Sequence, residues 1–304
     1  MASCSAVAYA GPLLLLKFMT QFVIACFFLL LLARAGQAQS LDNDTFKINK
    51  RQFSLLRPTP RRYMRPMVPD RPGITESPYS VDAGHVQYET DALRLLTRRE
   101  GTTYGHDWYV NHALAKVGLT DRTDLQIGVD SYTDTRNYDD ADASQTQEYR
   151  GLGDVNIRVK QTLFGDDDSR WALGLIGYVT LPTGGPRGDG AVEFGAVLPV
   201  IYQLTKPWSV GGQLATQVYW DRATQSRFLQ LTPTFTTDYQ FTKLLQLFVE
   251  LVGYRDVRQN SWRSSINTGV QLDVSDNVQL DFGTHLPITN SVDREYFLGL
   301  SFRR

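Results

Sequence analysis

From Ser80 to Phe302 apolar and polar residues alternate with period two, in about twelve segments of roughly ten residues each. Successive side chains on a strand point to opposite faces, so each segment has one wet and one greasy side. His85-Val86-Gln87-Tyr88-Glu89-Thr90-Asp91-Ala92 sets His85, Gln87, Glu89 and Asp91 against Val86, Tyr88, Thr90 and Ala92. Asp124–Asp130 and Val155–Lys160 repeat the pattern. An even number of such strands, ending near an aromatic residue at the C-terminus, predicts an all-β fold: an antiparallel, up-and-down transmembrane β-barrel of about twelve strands in a bacterial outer membrane. The expected strands are 81–93, 107–119, 123–132, 152–164, 170–181, 191–204, 207–220, 227–239, 244–254, 261–274, 277–288 and 294–302.

Mean hydropathy is −0.27 over the 304 residues, which excludes a helical membrane protein and suits a barrel that shows lipid only every second residue. Residues 1–38 differ. They carry no acid, only Lys17 and Arg34 as charges, an apolar run from Phe18 to Ala33, and Gly36-Gln37-Ala38 before the next segment. This pattern predicts a secretory signal peptide cleaved after Ala38. A retained anchor fits less well, because the run is short for a span. Val23–Cys26 resembles a lipoprotein box, but Phe27–Leu32 would remain as a hydrophobic flap. Both cysteines, Cys4 and Cys26, lie in this leader, so the mature chain has no disulfide framework and no thiol metal site. Removing Lys17 and Arg34 from the 31 basic residues leaves 29 against 32 acidic ones. A near-neutral balance of this kind gives no sign of a nucleic-acid partner.

Residues 39–79 form a second region, a basic, proline-rich N-terminal arm. It holds Pro58, Pro60, Pro66, Pro69, Pro72 and Pro78, and between Lys47 and Arg71 its many cations face only Asp70. Proline removes helix and ladder bonds, so the arm is expected to be extended or disordered. A solvated linker is the favoured expectation; a lumen plug or a contact with a periplasmic partner are the alternatives. The third region, 80–304, is the barrel.

Loop lengths assign an orientation. Leu95–His106, Thr133–Gly151 and Pro182–Gly190 are long, whereas Thr120–Arg122, Thr205-Lys206 and Ser275-Asp276 are tight. Short turns belong to the periplasm and long loops to the outside. The tryptophans fall at expected strand ends: Trp108, Trp220 and Trp262 in an outer aromatic girdle, Trp171 and Trp208 in an inner one. Trp108 alone falls out of its strand's apolar register. Pro199 and Pro233 lie inside expected strands, which suggests bulges or shifted registers there.

Asp70-Arg71-Pro72, Thr75–Pro78 and Val81–Glu89, followed by Gly118–Arg122, Gly151–Asp154 and Leu181–Gly184, resemble the outer-membrane transporters grouped under the meta-pathway of phenol degradation. The resemblance runs from about Asp70 to the C-terminus. It implies an outer-membrane channel associated with uptake of aromatic compounds, without assigning a substrate. Arg303-Arg304 after Phe302 departs from the terminal aromatic that the barrel-assembly machinery reads as its signal.

The polar strand faces supply the candidate lumen lining: His85, Glu89, Asp91, Asp124, Asp130, Arg158, Lys160, Glu193, Asp238, Arg263, Asp273, Asp281, His285 and Glu295. An Arg or Lys on the lipid face near mid-bilayer would cost about 2–4 kcal/mol, whereas inside it meets water or another charge. These residues line either a narrow pore for small solutes, the favoured reading, or a closed structural or binding barrel filled by ion pairs. An outer-membrane hydrolase is a third reading. It fits less well, because none of His85, His106, His112 and His285 has a serine two residues on. No catalytic residue is expected. The histidines have no tight ligand spacing, and no metal or other cofactor is expected. Pro182–Gly190 lacks the Gly-Lys-Ser/Thr ending of a phosphate loop, and Asp166-Asp167-Asp168 fits a solvated turn better than a calcium site. The expected partners are outer-membrane lipid, the barrel-assembly machinery and an unidentified small solute.

Overall fold

A computed structural model describes residues 48–304 except 101–102, 140–146, 186–187, 189, 260–261 and 290–291. The signal-peptide reading, Met1–Ala38, lies outside the described residues. The strands are β1 (Val86–Glu100), β2 (Thr103–Gly118), β3 (Thr123–Asp139), β4 (Gln147–Gly151), β5 (Val155–Phe164), β6 (Trp171–Leu181), β7 (Glu193–Thr205), β8 (Trp208–Asp221), β9 (Ser226–Gln240), β10 (Leu245–Asp256), β11 (Arg263–Ser275), β12 (Val278–Pro287) and β13 (Arg294–Arg303). Every strand pairs antiparallel with its neighbours, and β1 pairs with β13, which closes the ring. β4 and β5 both pair with β3, as two parts of one stave broken at 152–154. The result is a closed barrel of twelve staves.

The barrel is inside-out. On β12, Gln279, Asp281 and His285 are buried while Leu280 and Phe282 are exposed; on β13, Ser301 and Arg303 are buried while Tyr296, Leu298 and Phe302 are exposed. Such a distribution would be untenable in water, where a continuous apolar band of this size drives association. In a bilayer the band meets lipid, and the closed ladder pairs most of the backbone that faces it. No helix among the described residues is long and apolar enough to cross a membrane.

Some boundaries differ from the sequence reading. Leu95–His106 and Thr133–Gly151 are mostly strand, because β1 and β2 meet across 101–102 and β3 runs on to Asp139. Polar residues on both faces of these extensions mask the alternation. Residues 81–85 precede the first strand rather than opening it. Pro199 and Pro233 shift no register: β6–β7 pairing skips from Leu173↔Val200 to Ile176↔Val197, and β9–β10 from Val252↔Thr234 to Arg255↔Leu231, with the same offset on both sides. Both prolines remain paired on their other flank, with Gln213 and Leu214. In an antiparallel ladder each N–H points to one neighbour only, so a proline costs one flank and spares the other.

The register does slip elsewhere. Between β1 and β13 it shifts at Ala92, and at the same level Asn111 on β2 and Ser131 on β3 are skipped without a change of offset. Asn111 has φ 57° and bonds Tyr88, Thr90 and Ser131 through its side chain. Beyond this bulge inside and outside exchange. Lys116 is buried on one side of it, and Trp108 and Val110 are exposed on the other. Trp108 is therefore in the outward register of its half-strand, contrary to the sequence reading.

The arm is no solvated linker. Ser54 bridges Thr120 at the β2–β3 turn, Thr59 N–H donates to Ala83 O, and Gly118 gives up its side chain to Asp82, whose carbonyl oxygen lies 2.1 Å from where a Cβ would stand. Two short 3-10 turns, Lys50–Gln52 and Arg61–Tyr63, punctuate it. Between Asp70 and Ser80 it bonds inward side chains of β1, β2, β5, β8, β9, β10 and β12. From Asp70 to Ser80 the arm thus lies in the lumen.

The arm-filled lumen as candidate functional site

Two neighbouring arm residues of opposite charge seat on opposite charges of the wall. The Asp70 carboxylate accepts from Lys116 on β2 and Lys160 on β5, both almost fully buried. The Asp70 N–H donates to Glu89 at 2.9 Å, and Glu89 also pairs with Lys116. Arg71 spans two strands, ion-paired with Asp91 on β1 and donating from Nη2 and Nε to Asp281 on β12 at 2.7 and 3.1 Å. Further along, Glu250 on β10 accepts the backbone N–H groups of Ile74 and Thr75 at 2.9 and 2.6 Å and the Asn267 amide at 2.7 Å. Glu76 accepts from Arg158, and its own N–H donates to Gln213 at 2.8 Å. Proline-broken backbone cannot satisfy itself, so wall side chains satisfy it.

Burial alone would raise the Asp70 carboxyl, but Lys116 and Lys160 outweigh it and hold the group well below the usual carboxylate range. A group depressed on docking contributes above its free pKa and loses that contribution as pH falls through the docked value. The difference in arm docking between wild type and Asp70→Asn, read by the fluorescence of a probe attached to the arm, should therefore be full at pH 7, persist to about pH 4, and close only in stronger acid.

The sequence-derived residues distribute as follows. Glu89, Asp91, Asp124, Lys160 and Asp281 are almost wholly buried and face the arm; Asp124 accepts the Val81 N–H at 2.8 Å. Arg158 holds Glu76. His285 and Glu295 pair at 3.2 Å on adjacent strands, with Arg94 behind Glu295. Glu193 accepts the Trp220 N–H at 2.7 Å, and Arg263 donates to Gln230 at 3.0 Å, so both knit wall to wall. Asp238 accepts from Gln246 at 3.3 Å, and Asp273 is half-buried at the short-turn end of β11. Asp130 stands opposite His112 in the ladder, and its side chain lies outside the described ones. His85 is not on a strand: it precedes β1 and contacts the carbonyl of Thr59 at 2.7 Å, fastening the arm. The acidic turn is exposed, and within it Asp167 also pairs with Lys50 and Arg65.

Trp108 and Trp208 are exposed on the outer face. Trp171 stacks on Phe164 at 3.8 Å, and Trp220 and Trp262 each lie under an arginine, Arg227 and Arg255. Sequence reasoning missed Lys116, Glu250 and the arm's own Asp70, Arg71 and Glu76. Glu250 is an acid within the apolar stretch Leu244–Leu251, a signal that was available; Lys116 was hidden by the register change at Asn111.

Comparisons with known proteins agree with this architecture. No curated protein sequence matches the chain. The fold is similar to the crystal structure of an outer membrane channel from Pseudomonas putida F1, with TM-score 0.56 and 14% identity over 77% of this chain and 98% of that one. It is also similar to the NanC porin (TM-score 0.45, 13% identity, 69% and 99% covered) and the CymD monoaromatic hydrocarbon channel (0.41, 8%, 72% and 87%). The family model described as "Putative MetA-pathway of phenol degradation" matches residues 69–302, which takes in the lumenal part of the arm as well as the barrel. By that match the chain belongs to the phenol-degradation MetA-pathway family of outer-membrane barrels.

Proposed function

We propose that this protein is an outer-membrane channel for small solutes, hydrophobic or aromatic compounds among them, exported by residues 1–38 and inserted by the barrel-assembly machinery. The carrying observation is the lumen itself. Its wall is polar and charged, and what fills it is a separate segment held by hydrogen bonds and ion pairs. A barrel closed for structural reasons would be expected to fill with wall side chains, as small eight-stranded barrels do. A lumen filled by an arm opens when the arm moves. The chain's role is conduction, not catalysis. The neighbour from Pseudomonas putida F1, described as an outer membrane channel, supports the reading by its likeness of fold.

The second reading, a closed structural or binding barrel, is favoured by the completeness of the arm's contacts. Purified protein in a planar bilayer decides between them. The channel reading expects discrete conductance steps whose frequency falls when an aromatic solute competes for the lumen. A well-folded, heat-modifiable barrel with no steps under any voltage would establish the closed reading instead.

A further inference from the structure

Asp91, Gly299 and Asp281 form one row across three adjacent strands: Asp91 faces Gly299 between β1 and β13, and Gly299 faces Asp281 between β13 and β12. We propose that this row is a binding seat for guanidinium and alkylguanidinium ions, which Arg71 of the arm occupies as a tethered ligand.

Three features match a planar cation. Strands lie about 4.8 Å apart, so the two carboxylate residues stand roughly twice that distance from each other, one on each side of the glycine, and leave a slot that a fork of N–H groups fills from both sides. Gly299 supplies the floor: a Cβ there would stand 2.1 Å from Arg71 Nη2 and 2.5 Å from Asp281 Oδ1. Phe297, two residues before Gly299 on the same inward face, presents its ring 5.7 Å from Arg71 Cζ. An ammonium is a point charge and cannot span both carboxylates in this way.

The charge balance points the same way. With Arg71 withdrawn, Arg94 is left facing Asp91 and Glu295, with His112 and His285 alongside, and Asp281 loses the two hydrogen bonds it accepts from Arg71. Asp91 and Asp281 are each about 1% exposed. A buried carboxylate pair that loses its cation is strongly destabilised, so the vacated seat attracts a replacement of the same shape.

The test uses the full mature protein, wild type and Arg71→Ala, with ethylguanidinium as probe and ethylammonium at equal ionic strength as control. Two properties are read: the temperature of the heat-induced gel shift in detergent, and the open fraction in planar bilayers, the latter resting on the channel reading above. Arg71→Ala should lower the shift temperature and raise the open fraction about tenfold or more, since one partner of a buried pair is gone. Millimolar ethylguanidinium should restore most of both, and ethylammonium little. In Arg71→Ala/Gly299→Val the notch is filled and the rescue should vanish. On the wild type the same ion competes with Arg71 and should increase tryptic cleavage of the arm, a readout that remains if the variant does not fold. Equal effects of the two cations, or equal rescue of the double variant, would overturn the seat. Absence of channel steps in every variant would sink the channel reading alone, because the shift temperature and the cleavage still decide on the seat.

Discussion

Deleting residues 49–79 raises the single-channel conductance by at least about threefold, on the expectation that a twelve-strand barrel is intermediate between filled eight-strand and open sixteen-strand barrels. The ladder is untouched by the deletion, because every barrel strand lies C-terminal to the arm and pairs with its neighbours directly. Glu250 loses the Ile74 and Thr75 N–H groups, and Lys116 and Lys160 lose Asp70. Water entering the emptied lumen replaces those partners, so the wall charges are rehydrated rather than stranded. The arm's side chains are then absent from the conduction path. Single-channel recording of the truncated and full mature proteins at equal salt measures the ratio. An unchanged conductance in a folded truncated barrel would mean that wall side chains, not the arm, close the lumen.

Lys160→Met should cost about 3–5 kcal/mol of stability, the usual consequence of removing one partner from a buried ion pair. Lys160 is 1% exposed, bonds Asp70, and stands directly opposite Asp124 in the β3–β5 register. Its loss leaves three buried carboxylates, Asp70, Glu89 and Asp124, around Lys116 alone. The paired change Lys160→Met/Asp70→Asn removes a charge of each sign and should recover a large part of the loss. A double-mutant cycle by urea unfolding in lipid vesicles, followed by tryptophan fluorescence, isolates the coupling. Additive losses would show that Asp70 and Lys160 do not act on one another.

Conductance, solute competition, arm docking in acid and guanidinium rescue all read one object, the arm on its wall. That object was only partly visible in the chain. The residues of the wall were visible because a charge on the lipid face is costly, so Glu89, Asp91, Asp124, Lys160 and Asp281 had to point inward. Lys116 was not, since the bulge at Asn111 inverts the faces of β2 and no local pattern announces a φ of 57° at an asparagine.

Barrel class and the number of staves are properties of the sequence by itself. They follow from a period of two that each strand carries locally and that the lipid enforces at every second residue. The place of the arm was decided only by tertiary structure. Arg71 and Asp281 lie 210 positions apart, and Thr75 and Glu250 lie 175 apart. Prolines strip the arm of ladder bonds, so it carries no period and no register from which a partner could be read. Its bonds exist only once the barrel has closed and brought β1, β2, β5, β10 and β12 around one lumen.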